Sequence, residues 1–299
     1  MSKVTTLREA VAAHVKPGDT IFLSGAQHAE PTAAIHEIIR QRIDRLTLIS
    51  VLTETVALLI GTGSLERVLT GWMIQDERSA ALIRAKQMGK LPEFVEYSHF
   101  GISLALLAGQ MGVPFLPALT QIGSDLMKYN PHLGTVRCPF TERQVGAVQA
   151  VTPDVGIIHV QRCDAEGNAQ KWGSLGVDRE GINASRTVVV TTERLVDTDV
   201  IRREPNLTII PAFRVSAVVE VPFGAYPMHL AGCYNEDIWG WRREIMGAEA
   251  FERYLEEFVY GVRNWEEYLE KRKALKGADY LDGLLLKDAV LSDPLPSGY

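Results

Sequence analysis

Seven short apolar runs, each leading into a turn or a helical pattern, constrain this chain more than any other feature. They are Thr20–Gly25, Leu46–Val51, Val68–Met73, Val155–Val160, Thr187–Thr192, Leu207–Ile210 and Ala217–Val221. Each is close to continuously hydrophobic rather than alternating. A strand of that kind is buried on both faces, which requires layers of helix above and below the sheet. Helical patterns between the early runs, from about Pro31 to Arg42 and over Thr55–Ile60, supply such layers. Strand–helix alternation in turn makes the sheet mostly parallel, so the expected fold is α/β with helices on both faces.

After about Tyr234 the pattern changes. The stretch from Asp237 to Lys276 is helical and charge-rich, with Trp239, Trp241, Phe251, Tyr254, Phe258, Trp265 and Tyr268 at roughly helical spacing. This stripe is expected to pack on the chain's own core, the alternative being a surface for a partner protein. The tail LSDPLPSGY reads as a loosely held terminus. With no internal repeat and no linker, residues 1–299 read as one domain. Its core covers about 3–234, and a C-terminal helical extension covers about 235–299.

Composition narrows the function. A net charge of −6 over 299 residues argues against nucleic acid as a partner. Three scattered cysteines, Cys138, Cys163 and Cys233, make no disulfide framework, and the N-terminus carries no apolar leader. A cytoplasmic setting is expected. Ile102–Gln121 is free of charge, but Gly109, Gly112, Pro114 and Pro117 break it, so it reads as a buried helix, Ile102–Met111, entering a short buried strand at Val113–Leu116 rather than a membrane span. The seven histidines show no metal-ligand spacing, and no metal is expected. P-loop and GxSxG signatures are absent, and GTGSLE (Gly61–Glu66) reads as a turn.

Polar segments at strand ends remain, which is where open α/β sheets place their ligands. They are Ser24–Ile35, Leu52–Thr55, Glu96–Gly101, Ala118–Leu126, the turn Arg162–Gln170 and the Gly/Pro-rich Val221–Gly232. Each has a plain reading beside a functional one. Glu54 fits a cap for the helix beginning at Thr55, and His99 fits a hydrogen-bonded structural histidine.

Taken in order, SGAQHAEPTAAI, LLIGTGSLERV, VPFLPALTQIGSDL, DAEGNA and VVEVPFGAYPMHLAGCY resemble the alpha subunit of a family I coenzyme A transferase of the glutaconate CoA-transferase group. The resemblance runs from about Lys3 to Tyr234. It implies an active unit of two homologous subunits, with acyl-CoA at their junction and no permanently bound cofactor; the CoA thioester is substrate. A glutamate attacks the thioester to give an acyl-glutamyl anhydride, CoA returns to form a glutamyl-CoA thioester, and the steps reverse on the acceptor acid. In two-subunit members the nucleophile lies on the beta subunit.

For this chain the resemblance implies an acyl pocket shaped by Gly25, Gln27, His28, Ser98, Gln121, Gly123 and Ser124. His99 is a supporting catalytic candidate, and Glu54 a candidate for direct chemistry that is better read as a cap or supporting residue. The group's steroid-CoA hydrolases align an acidic residue with His99 and an arginine near Leu119, and this chain departs from both. Hydrolysis or decarboxylation of a CoA thioester on the same fold is the alternative activity. A ligand-sensing regulator is a remoter one, since no basic DNA-binding module precedes Thr20.

Overall fold

The computed structural model describes residues 2–73 and 79–286. After helix α1 (Leu7–His14), strand β1 (Thr20–Leu23), helix α2 (Thr32–Arg40), strand β2 (Leu46–Ile49) and helix α3 (Ala57–Thr62) follow in alternation. They continue with β3 (Leu65–Thr70), α4 (Ala80–Gln87), β4 (Glu93–Glu96) and α5 (His99–Met111). An excursion through β5 (Phe115–Ala118), α6 (Leu126–Tyr129), β6 (Leu133–Arg137) and β7 (Gln144–Gln149) precedes the long β8 (Val155–Cys163). Then come β9 (Ala169–Gln170), α7 (Asp178–Ala184), β10 (Thr187–Leu195), α8 (Thr198–Arg203), β11 (Thr208–Ile210) and β12 (Ala217–Glu220). Helices α9 (Ile238–Glu244), α10 (Ala248–Tyr254) and α11 (Trp265–Lys276) close the described chain, with a π-helical turn at Leu255–Tyr260.

The main sheet is parallel in the order β12-β10-β8-β1-β2-β3-β4, and β9 and β11 add short antiparallel pairings. Alternate residues of each central strand enter opposite layers. Ile21, Leu23 and Leu48 meet α1–α3 and the C-terminal helices, whereas Phe22, Ile49 and Val190 meet the layer containing Ile102, Leu106 and Ile182 of α5 and α7. Helices therefore cover both faces, as the continuous apolar runs require.

The C-terminal aromatic stripe packs inward. Trp241, Phe251, Tyr254, Trp265 and Tyr268 are buried in the first layer, and Trp265 stacks on Tyr268 at 4.4 Å. Trp239 is the exception, at 63% exposure. Fully buried Arg272 sits over the rings of Phe258, Tyr268, Tyr226 and Tyr254 and pairs with Glu244 at 2.5 Å. That binds α11 to α9 and to the loop following β12.

Two expectations are corrected. The apolar run around Val113–Leu116 is not a buried strand. It becomes β5, shifted to Phe115–Ala118 and lying outside the main sheet, at the edge of a three-stranded antiparallel sheet ordered β5-β7-β6. Its residues are half-buried or exposed. Pro117 accounts for the placement, because proline cannot donate to a ladder and is confined to sheet edges. The short helix begins at Ala57 rather than Thr55. Of GTGSLE only Gly63 and Ser64 form the turn: Gly61 and Thr62 end α3, and Leu65 opens β3. The uncharged stretch divides into α5 and β5, and among the described residues no helix is long and apolar enough to cross a membrane. The tail LSDPLPSGY lies outside the described residues.

Candidate active site

The carboxyl ends of β1, β2 and β3 are stitched together by the backbone. Gln27 donates its N–H to the Leu52 carbonyl at 2.9 Å, and Leu52 donates to the Trp72 carbonyl at 3.1 Å. The Trp72 ring then meets His99 edge-on, centroids 6.4 Å apart. One chain of contacts thus runs from the loop after β1, across the loops after β2 and β3, to the first residue of α5. Gln27, Ala29 and Leu52 hold left-handed φ values of 57°, 54° and 60°. Non-glycine residues adopt this conformation where the surroundings impose it, and such residues gather at functional loops.

In the first loop, Gly25 has φ 115°, and a Cβ there would lie 2.7 Å from the Glu30 side chain, so only glycine fits. Gln27 is exposed at the loop's tip, whereas His28 is fully buried. The His28 Nδ1 faces the Ser174 carbonyl at 2.9 Å, and its Nε2 accepts the Ala231 N–H at 3.1 Å. Burial, with nearby Lys171 second, lowers its pKa to about 3, so the ring is neutral. His28, expected to shape the acyl pocket, is instead buried with both ring nitrogens engaged, and it fastens the first loop to two others.

Glu54 is buried, and its carboxylate is taken by the Arg242 guanidinium of α9, which donates Nε to Oε2 at 2.6 Å and Nη2 to Oε1. Arg242 also stacks on Trp239 at 4.5 Å. The cap reading of Glu54 is thereby corrected: α3 has no side-chain cap, and only the Glu54 carbonyl meets the helix, accepting from Ala57. The backbone leading into α3 is held instead by Glu30, which is fully buried 24 residues earlier. Its carboxylate accepts from the Glu54 N–H at 2.9 Å, the Thr55 N–H at 2.8 Å and the Thr55 hydroxyl at 2.6 Å. Burial outweighs these bonds and raises the Glu30 pKa to about 7. Glu30 falls within the polar segment Ser24–Ile35, which gave no sign of its partners. Its flanking by apolar and small residues was the available sign that it is not a surface carboxylate.

The second group assembles at the N-terminus of α5. Ser98 is the N-cap and accepts the Gly101 N–H at 2.9 Å. His99 is exposed beside it. Gln121, at φ 74°, packs its amide against Gly101, and both amide atoms are buried without a partner among the described residues. The Ser124 hydroxyl donates to the Gln121 carbonyl at 2.7 Å, and Gly123 (φ 85°) completes that turn in open space. Next to Ser98, a cleft of about 510 Å³ opens between Thr70, Trp72, Glu96, Tyr97 and Leu126. The structure therefore gathers Ser98, His99 and Gln121 in one place, and Gln27 and Gly25 in a second place joined to the first by backbone bonds to Trp72 and the Trp72–His99 ring contact. Among the described residues no cluster of three or more His, Cys, Asp or Glu side chains is suited to a metal ion.

Residues 4–221 match the coenzyme A transferase family, and the chain belongs to that family. It is 36% identical over 282 residues to the A-type subunit of the 3-oxoadipate CoA-transferase of Pseudomonas knackmussii, covering 91% of this chain and 98% of that one. It is 30% identical to the A-type subunit of the glutaconate CoA-transferase of Acidaminococcus fermentans, over 92% of this chain and 93% of the other. The crystal structure of that glutaconate enzyme superimposes with a TM-score of 0.87, covering 95% of this chain and 96% of its own. The decarboxylase AibA/AibB matches with a TM-score of 0.72 at 29% identity, covering 86% of this chain and 100% of that one. The resemblance to the alpha subunits of glutaconate-type transferases is borne out, and the chain is a CoA-transferase subunit of the A type. These two transferase relatives share nearly its full length, so hydrolysis and decarboxylation are not favoured.

Proposed function

We propose that this chain supplies the binding half of a two-subunit CoA-transferase, with the nucleophilic glutamate on a homologous beta subunit. The carrying observation is the state of Glu54. It sits at the strand end where a homologous subunit would present its nucleophile, yet its carboxylate is buried and gripped by Arg242 through two hydrogen bonds. A carboxylate so held is a poor nucleophile toward a thioester, because its lone pairs are committed to a cation.

On this reading acyl-CoA and the acceptor acid meet the partner's glutamate over the linked loops. Gly25 and Gln27 face the substrate from the first loop. The start of α5 faces it with Ser98 and His99, and the turn after β5 with Gln121, Gly123 and Ser124; these orient the thioester and stabilise the charge developing on its carbonyl oxygen. His28 holds the loops together. The reaction occurs in the cytoplasm and needs no permanently bound cofactor.

Expression with and without the beta subunit tests the reading. The chain alone should transfer no CoA, and co-expression should restore transfer and yield an alpha–beta assembly. Full turnover by the purified chain alone would sink the proposal.

A further inference from the structure

Behind the first loop lies a buried ion pair that reaches the loop through the Gly25 backbone. Lys171 and Asp178 are completely buried, with Nζ and Oδ2 2.5 Å apart. The other carboxylate oxygen, Oδ1, accepts the Gly25 N–H at 2.8 Å. Lys171 follows β9 and Asp178 begins α7, so the segment between them lies directly beneath the loop. Within it, the Ser174 carbonyl meets His28, and Gly176 packs against Ala26, where a Cβ would come within 2.6 Å.

A buried ion pair contributes little net stability compared with apolar side chains of similar volume. This one instead gives a loop amide a fixed acceptor at the residue whose left-handed backbone turns the chain out of β1. We propose that Lys171 and Asp178 are positioning residues for CoA transfer: the pair fixes the Gly25 N–H and thereby sets the Gly25–Gln27 turn in the geometry that meets substrate. Lys171 orients the carboxylate, and Asp178 holds the amide. The inference rests on the proposed function, in which this turn lines the substrate site.

The test uses the assembled alpha–beta enzyme. Single substitutions would strand a buried charge, so both charges are removed together. In Lys171→Met/Asp178→Asn the Asn Oδ1 can still accept from Gly25, whereas in Lys171→Met/Asp178→Leu nothing can. Both should assemble with melting temperatures close to each other. The leucine variant should lose kcat about tenfold or more, as expected for a displaced substrate loop, with the asparagine variant recovering most of it. Equal kcat in the two variants overturns the inference. Gln27→Ala distinguishes a failed positioning role from a misplaced site. If it loses activity while both double variants keep theirs, the positioning role alone falls. If all three keep wild-type activity, the turn lies outside the site and the functional reading of this loop falls too.

Discussion

Arg242 grips Glu54 across the whole fold, its Nε bonding Oε2 at 2.6 Å and its Nη2 bonding Oε1. The pair joins α9 of the C-terminal extension to the loop after β2, and it engages both oxygens of the Glu54 carboxylate. Removing the arginine leaves a buried carboxylate without its counter-charge. Arg242→Ala is therefore expected to cost about 2–3 kcal/mol, below the range for fully buried pairs because Arg242 is partly exposed. Glu54→Gln should keep kcat of the assembled enzyme within about threefold, since a supporting residue is being changed. Denaturant melts and steady-state kinetics on the two variants check both statements.

Glu30 gives the fold a pH dependence. Its pKa is about 7 in the folded chain against an ordinary value of 4.5, so between these values the folded state binds the proton and the unfolded state does not. Stability is then full below about pH 4.5 and declines as pH rises through 7, by on the order of 3 kcal/mol for this group. Glu30→Gln should flatten that decline. Unfolding free energies at about pH 5 and pH 8 for both proteins measure it, on either side of the Glu30 titration; parallel slopes would overturn the assignment.

How much of this was legible in the chain differs by element. β1, β2, β8, β10 and β12 were readable because burial on both faces leaves continuous apolar runs. β4, sequence EFVE, and the β6–β7 pair, LGTVR and QVGAVQ, were not, because half-exposed strands mix polar or charged residues with apolar ones and leave no continuous apolar run. At the candidate site, glycine and polar residues at strand ends pointed to loops that the structure links by backbone bonds and a ring contact. The partners Glu30 to Thr55, Arg242 to Glu54 and Asp178 to Gly25 lie 25, 188 and 153 residues apart, and no local pattern announces contacts made only by tertiary packing.

His99 stands exposed at the start of α5 beside Trp72, and under the proposed function it meets the thioester from there. His99→Ala should lower kcat/KM about 10²-fold through lost orientation or proton transfer. A change below threefold would make it a structural histidine.

Gln121 combines a left-handed backbone with a buried amide lacking partners among the described residues, two unfavourable features in one residue. Gln121→Gly relieves both, so it should leave stability unchanged or raise it by about 1 kcal/mol. If the amide serves substrate, KM for acyl-CoA should rise at the same time. A thermal melt together with KM separates the roles: a destabilised variant with unaltered KM would assign Gln121 to the fold alone.

The division of labour between the two chains is decided by covalent trapping. The assembled enzyme is incubated with acyl-CoA, borohydride reduces the glutamyl-CoA thioester to the alcohol, and peptide mapping finds the modified glutamate. A single modified glutamate on the beta subunit, with none on this chain, is the expected result. Modification at Glu54, with the partner unlabelled, would refute the division and make this chain the catalytic one.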